Sequence, residues 1–267
     1  MITGVADGLH YEVHDGPKKA NSVILSAGLG GSAAFWAPQM QALNARFRVI
    51  VYDHRGTGRS DRSLKPDHSV ASMAEDIVAV LDATGTDRAH LVGHAAGGNA
   101  GLQLALDHPA RLDRLVVVNG WSRPDPHIAR CFAARIRLLE AFGPQAYVQA
   151  QALFLYPPDW ISANDALLKV QEPHHVESFP RTDVMLARIA ALLAFDIDDR
   201  LGQISHPVLV SASAGDMLVP PSCARRLAAG LAKATLDVAP WGGHAFCQIV
   251  PGPFNDRVIA FLSGEVG

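Results

Sequence analysis

Short runs rich in β-branched residues alternate along this chain with segments of helical periodicity. This alternation is typical of an α/β fold, a mostly parallel sheet with helices on both faces, because parallel strands need long crossover connections. We predict strands near Leu9–Val13, Ser22–Ser26, Arg48–Tyr52, Ala89–Gly93, Leu115–Asn119, Pro207–Ala212 and Thr235–Val238. We predict helices near Phe35–Asn44, Val70–Thr84, Asn99–Asp107, Pro221–Leu231 and Phe254–Leu262.

The alternation stops after Asn119 and resumes only near His206. Between these points the sequence carries helical patterns alone, at Ile128–Phe142, Gln145–Leu155 and Asp183–Phe195. An all-helical insertion between two parallel strands is most simply a lid over the C-terminal edge of the sheet, where ligands bind in open α/β folds. We therefore predict a core from residues 1–120 and 206–267, with a helical cap from residues 121–205.

Composition restricts the partners and the compartment. The 267 residues carry a formal charge of −3 and no polybasic run, which argues against nucleic acid and against an anionic membrane as partner. Three scattered cysteines do not form a disulfide framework, and no run reaches the ~20 apolar residues that span a bilayer. We expect a cytoplasmic protein that acts on a small molecule without a metal or cofactor. A homodimer is compatible with the sequence, which does not specify the oligomeric state.

The segment Gly93-His94-Ala95-Ala96-Gly97 lies where a predicted strand turns into a helix. Its spacing is that of the G-x-S-x-G nucleophile elbow, in which a sharp turn lifts the middle residue above the sheet. The flanking glycines are needed because a Cβ there would collide with the neighbouring strand and helix. Ala95 occupies the serine position, so the sequence predicts an elbow that lacks its nucleophile.

Two further polar residues follow in the order expected of a catalytic triad. Asp216 comes in a loop after one strand, and His244 follows the last strand and precedes the final helix. The order nucleophile, acid, base is that of the α/β-hydrolases and not of the two common serine-protease folds. After an early strand, the loop at Gly28-Leu29-Gly30 is suited to donate an oxyanion-hole N–H, and Leu29 and Ala96 are the candidate donors.

Each of these features has a plain alternative. Asp216 could be a turn residue or helix cap, His244 a loop histidine and the glycines a tight turn; their joint order favours a site. The segment Gly28–Ala33 with Asp53 also fits a dinucleotide-binding fingerprint, but that interpretation leaves the elbow, Asp216 and His244 unexplained. We expect the glycine-rich connection Asp53–Ser60 to form part of the wall of the site. We expect its charged side chains to have a structural role. His174-His175 invites a metal site, yet a solvated cap loop is favoured.

With these motifs, the chain resembles the α/β-hydrolase superfamily over its whole length. The supporting segments are D-x-R-G-x-G-x-S at Asp53–Ser60, Gly243-His244 and Phe254-Asn255. The cap segments Val118–Trp121, Arg130–Phe132 and Ala150–Trp160 resemble the pyrimidine-utilisation protein D family of bacterial uracil degradation, which also has alanine in the elbow. The resemblance implies hydrolysis of carbamate to ammonia and carbon dioxide, or of 3-aminoacrylate to malonic semialdehyde and ammonia.

Without a serine no acyl-enzyme can form, so we expect His244, oriented by Asp216, to activate water as a general base. Arg123, Arg130 and Arg135 of the cap are candidates to bind a substrate carboxylate, although such arginines more often lie on solvated helix faces. We predict that Gly28, Trp36, His94, Trp121, Arg123 and Arg130 line the substrate pocket. Three alternatives stay open: a serine esterase or C–C bond hydrolase whose nucleophile became Ala95, a non-catalytic binding protein, and dyad chemistry of another class such as cofactor-free oxygenation.

Overall fold

The computed structural model describes residues 1–265, whose fold is centred on one sheet of eight strands. The strands run in the order β1-β2-β4-β3-β5-β6-β7-β8. The first two pairings, β1 with β2 and β2 with β4, are antiparallel, and all others are parallel. The strands are β1 Ile2–Ala6, β2 Leu9–His14, β3 Ser22–Ser26, β4 Arg48–Tyr52, β5 Ala89–His94, β6 Leu112–Val118, β7 Val208–Ser213 and β8 Ala234–Ala239. The predicted α/β fold is confirmed.

The edge strand β1 is the one strand that the sequence analysis missed. It pairs with β2 in a register that sets Ile2 opposite Val13, and the two-residue turn between them is Asp7-Gly8. Both turn residues have positive φ, 48° and 78°, as a tight hairpin requires. An Asp-Gly pair between two short runs is a hairpin signal, so this strand could have been found.

Helices cover both faces of the sheet, and the sheet separates two apolar layers. On β3, for example, Ile24 belongs to one buried cluster, while Val23 and Leu25 belong to the other. This alternation follows from the two-residue period of a strand buried on both faces. The helices of the core are α1 Ala37–Asn44, α2 Val70–Ala83, α3 Ala96–Asp107, α7 Pro221–Gly230, α8 Phe246–Ile249 and α9 Pro251–Leu262.

Three helices lie between β6 and β7, in the segment 121–205 that we call the cap segment. They are α4 Pro126–Leu155, α5 Pro158–Glu177 and α6 Thr182–Leu193. Helix α4 bends at Gly143, whose φ of 76° interrupts the helix just before Pro144. The sequence analysis predicted both halves of α4 but not α5. The expectation of a loop at His174-His175 is wrong, since both histidines lie in the last turn of α5, where they are exposed.

Within residues 1–265, no helix combines the length and apolar character needed to cross a membrane.

Candidate active site

The backbone between β5 and α3 forms the sharp turn of a nucleophile elbow. Ala95 lies between β5 and α3 with φ 45° and ψ −107°, a strained conformation for a residue with a Cβ. Its N–H donates to the Val118 carbonyl at 2.7 Å, which ties the turn to β6. A Cβ at Gly93 would meet the backbone of residues 97 and 98, and one at Gly97 would meet the backbone of Ser26. The glycines are therefore required by the close approach of strand and helix.

The fold brings Asp216 and His244 into contact across two loops. Asp216 follows β7, His244 follows β8, and these parallel strands end at the same edge of the sheet as β5. His244 Nδ1 donates to Asp216 Oδ2 at 2.7 Å, and both side chains are buried. The other carboxylate oxygen, Oδ1, accepts from the Leu218 and Val219 N–H groups at 2.8 Å each. Asp216 thereby fixes the His244 ring and leaves Nε2 as the free ring nitrogen.

The backbone of His244 is held by two buried side chains. Asn119 Nδ2 donates to the His244 carbonyl at 2.6 Å, and His94 Nε2 donates to the same oxygen at 2.9 Å. Burial lowers the pKa of His94 to about 3, so its ring is neutral and, because Nε2 donates, Nδ1 is unprotonated. The ring packs against that of His244 and against Phe35. Gly28 lies under Nδ1, where a Cβ would collide with the ring. Gly28 and His94, two of the predicted pocket residues, thus help to hold His244 in place.

The candidate oxyanion donors are two backbone N–H groups. Ala96 begins α3, so its N–H is one of the unpaired groups of a helix N-terminus, where the helix dipole also favours negative charge. Leu29 lies in the loop after β3, and the register of β3 and β5 places Ser26 beside Gly93. Neither N–H donates to another residue within the described range 1–265. Both are therefore free to bind a developing negative charge.

The cap segment contacts each loop of the site. Near the start of α4, His127 Nε2 donates to the Met217 carbonyl in the acid loop at 2.6 Å. At the end of α4, the Leu155 carbonyl accepts from the N–H of Ala245, the residue after His244, at 3.0 Å. On α6, Arg188 Nη2 donates to the Leu29 carbonyl at 3.0 Å. The position of the cap segment is thus coupled to the acid, the base and the candidate oxyanion loop.

The remaining predicted pocket residues occupy different environments. Trp121 is buried in the same apolar cluster as Ala95 and Ala96. Trp36 is buried in the other cluster with Val23 and Leu25, so it is core packing and the prediction that it lines a pocket is not supported. The side chain of Arg123 is 51% exposed and pairs with Asp198 at 3.3 Å. Arg130 is exposed on α4. These two arginines are exposed, unlike the buried residues of the candidate site.

The loop Asp53–Ser60 is held together by its own charges, as expected. Asp53 accepts from the Ala33 N–H at 2.7 Å and from Arg59 Nε at 2.9 Å. Its carboxylate is therefore engaged by the chain, which argues against the dinucleotide fingerprint, where it would bind a ribose. Arg55 pairs with Asp76 at 3.0 Å. Within residues 1–265 no group of three or more His, Cys, Asp or Glu side chains is arranged to hold a metal.

A surface cavity of about 550 Å³ lies elsewhere, between the loop before α2 and the outer face of α6. Its lining includes His68, Gln103 and Ala190 but none of the elbow, dyad or candidate oxyanion residues. The candidate active site is therefore the group of buried residues above the sheet edge and not this cavity.

Two polar residues of the candidate site were not predicted from the sequence. Asn119, at φ 50°, was assigned only to the end of a strand, although it holds the His244 carbonyl. Arg188 lies on the buried stripe of α6 with Val184, Met185 and Ile189. An arginine inside an apolar helical stripe indicates a buried polar contact, because charged residues are almost never fully buried unless they are paired.

Comparison with known proteins gives results of two kinds. The model of a family described as "alpha/beta hydrolase fold" matches residues 21–247. A protein of Caulobacter sp. (strain K31), provisionally named carbamate hydrolase RutD, is 65% identical over 99% of each chain. A protein of Caulobacter vibrioides with the same provisional name is 62% identical over 99% of this chain and 98% of its own. Among solved structures, the enol-lactonase from Burkholderia xenovorans LB400 superposes with a TM-score of 0.87 at 26% identity, covering 98% of this chain and 100% of that one.

Proposed function

The chain belongs to the α/β-hydrolase family, and on that premise we propose that it hydrolyses the C–N bond of a small carbamate or enamine with the Asp216–His244 dyad acting on water. The observation that carries the proposal is the buried dyad at 2.7 Å beside an elbow whose middle residue is alanine. The dyad supplies a base, whereas Ala95 supplies no nucleophile. A water molecule is then the simplest group for the base to activate.

The relatives support the choice of substrate class. Both Caulobacter proteins are provisionally named for carbamate hydrolysis and match almost the whole of this chain at above 60% identity. The resemblance of the cap segments to a family of uracil degradation extends the candidates to carbamate and 3-aminoacrylate. Both compounds decompose unaided in water, so they need less catalytic power than a peptide bond.

The proposed mechanism moves one proton twice. His244 Nε2 takes a proton from water as the water oxygen bonds to the carbon that carries nitrogen, and Asp216 stabilises the resulting imidazolium. The Leu29 and Ala96 N–H groups stabilise negative charge that develops on oxygen. As the C–O bond forms, the C=O π bond of carbamate or the C=C π bond of 3-aminoacrylate opens and its electrons move towards a carboxylate oxygen. Protonated His244 then gives the proton to the nitrogen, the C–N bond breaks as the π bond re-forms, and ammonia leaves. Carbamate thereby gives bicarbonate, and 3-aminoacrylate gives the enol of malonic semialdehyde, which tautomerises to the aldehyde. General-base catalysis of this kind contributes ~10²–10⁴ in rate.

The test is ammonia release from freshly generated carbamate and, separately, from freshly generated 3-aminoacrylate. Wild type is compared with His244→Ala, with His174→Ala as the matched control because His174 is exposed at the end of α5. We expect a wild-type rate above the uncatalysed background on one substrate, the same rate in His174→Ala, and background in His244→Ala. Wild type and His244→Ala both at background with both substrates would refute the proposal.

A further inference from the structure

Arg135 is a buried cation without a counter-ion. It lies on the buried stripe of α4 and its residue is only 4% exposed. The guanidinium carbon lies 4.7–5.6 Å from the centroids of three aromatic rings, those of Phe132, Tyr147 and Phe154. Its Nε has no hydrogen-bond partner. No carboxylate of residues 1–265 lies within 4.0 Å, the limit for an ion pair. The rings stabilise the charge but accept no N–H.

Arg188 is a second buried cation, on α6, and its residue is 2% exposed. It donates to the carbonyls of Arg55 at 2.9 Å and of Leu29 at 3.0 Å, and to His54 Nδ1 at 3.2 Å. These partners are neutral, and its Nε is unpartnered. Burial lowers the pKa of Arg188 to about 10, so it remains protonated at neutral pH. Asp76, which acts on Arg188 from longer range, is engaged by Arg55.

The two arginines lie in one region beside the dyad. The centroid of the Tyr147 ring lies 4.7 Å from the guanidinium carbon of Arg135. The Tyr147 hydroxyl contacts Met185 Sδ at 3.8 Å, and Met185 lies three residues before Arg188 on the buried stripe of α6. Cys131 lies one turn before Arg135 on the buried stripe of α4, and its thiol donates to the carbonyl of Met217, the residue after Asp216, at 3.6 Å. Arg188 in turn holds the carbonyl of Leu29, a candidate oxyanion donor. Both arginines therefore lie on cap helices, and contacts of these helices reach the loops of the candidate active site.

Two buried guanidinium groups that no carboxylate of the chain neutralises destabilise the fold, since a buried charge is costly unless it is paired. Arginine is also the side chain best suited to bind a planar carboxylate through paired N–H donors. We propose that Arg135 and Arg188 form a carboxylate-binding subsite in the cap segment, and that the substrate's carboxylate is the missing counter-ion. The naming of the substrate rests on the proposed function; the binding of a carboxylate does not.

The subsite replaces the carboxylate-binding role that the sequence analysis also considered for Arg123 and Arg130, which are exposed. It accepts small monoanions and disfavours neutral esters and amides of the same shape, because only an anion neutralises the guanidinium charge. Carbamate and 3-aminoacrylate both carry a carboxylate. Acetate has the shape of carbamate, and propionate has the carbon skeleton of 3-aminoacrylate, so these stable anions distinguish the two sources.

The experiment measures binding of acetate, propionate, acetamide and propionamide by ligand-observed NMR. The proteins are wild type, His244→Ala, Arg135→Met and Arg188→Lys. Arg137→Met is the matched control, because Arg137 is exposed on the same helix as Arg135. Arg135→Met is expected to fold, since Nε, the buried atom of the guanidinium, makes no hydrogen bond. Thermal unfolding of each variant verifies this, and Arg188→Lys keeps the charge while losing the planar fork.

We expect one carboxylate to bind wild type, His244→Ala and Arg137→Met equally. Its neutral amide and the Arg135→Met variant should each bind about tenfold more weakly or worse, and Arg188→Lys should also weaken binding. Equal binding of carboxylate and amide, or wild-type affinity in Arg135→Met, would overturn the subsite. So would the absence of carboxylate binding to wild type. Carboxylate binding without ammonia release would refute the proposed function alone, and ammonia release with wild-type affinity in Arg135→Met would refute the subsite alone.

Discussion

The two carboxylate oxygens of Asp216 have separate partners, so Asp216→Asn should separate structure from chemistry. The asparagine carbonyl can take the place of Oδ1 and still accept from the Leu218 and Val219 N–H groups. The amide nitrogen then faces His244 Nδ1 in the place where, in the wild type, Oδ2 accepts a hydrogen bond from Nδ1 at 2.7 Å. Because an amide nitrogen only donates, Nδ1 must become the acceptor and the ring proton must move to Nε2. Nε2 can then no longer take a proton from water.

The expected loss of rate is that of the general base, ~10²–10⁴. A wrong histidine tautomer costs about 10⁴ in a serine protease, so the upper end of that range is realistic. The fold should tolerate the change. Three charge-assisted hydrogen bonds become neutral at about 1 kcal/mol each, offset by removing a buried charge. We therefore expect the midpoint of thermal unfolding to shift by only a few degrees, at roughly 2–4 °C per kcal/mol.

The assay is the initial rate of ammonia release at equal concentrations of folded protein. Asp183→Asn is the matched control, since Asp183 pairs with Arg181 on the exposed start of α6. Asp216→Asn should fall to the level of His244→Ala while Asp183→Asn keeps the wild-type rate. If the loss in Asp216→Asn were smaller than about tenfold, the role of the dyad as general base would be refuted.

Two further predictions concern stability. Gly97→Ala should lower the free energy of unfolding by about 1–3 kcal/mol in denaturant titration, since its Cβ would meet the backbone of Ser26. In the control Gly202→Ala the new Cβ would enter open space, so the free energy of unfolding should hardly change. Equal effects of the two substitutions would contradict the steric argument. Burial lowers the pKa of His94 to about 3 and that of His68 to about 4, from 6.5. Because the unfolded chain then binds protons that the native state does not, stability should be constant above the unfolded pKa and fall as the pH drops from about 6.5 toward 3. Thermal unfolding across this range should show a shallower fall in His94→Gln, and an unchanged slope would contradict the assignment.

The local sequence determined the sheet and the elbow. Seven of the eight strands were predicted because they are short β-branched runs with clear boundaries, and five of them, β3 to β7, are largely buried. The elbow was predicted because only glycine tolerates the approach of α3 to β3 and β5, which leaves a fixed spacing in the sequence. Strand β1 and helix α5 were missed. Strand β1 lies at the edge with exposed Ile2 and Val5, and α5 buries no residue fully, so neither carries a strong apolar pattern.

Only the tertiary structure decided which polar residues meet. Asp216 and His244 are 28 residues apart on separate loops, and their 2.7 Å contact depends on how β7 and β8 end. Asn119 joins His244 from a distance of 125 residues, and Arg188 joins Leu29 from 159. The sequence likewise could not show that Arg135 is buried while Arg123 and Arg130 are exposed. A helical stripe of apolar residues predicts which face of the helix is buried but not which other element covers it. Local patterns encode the backbone, whereas contacts between distant loops depend on the packing of all the elements together.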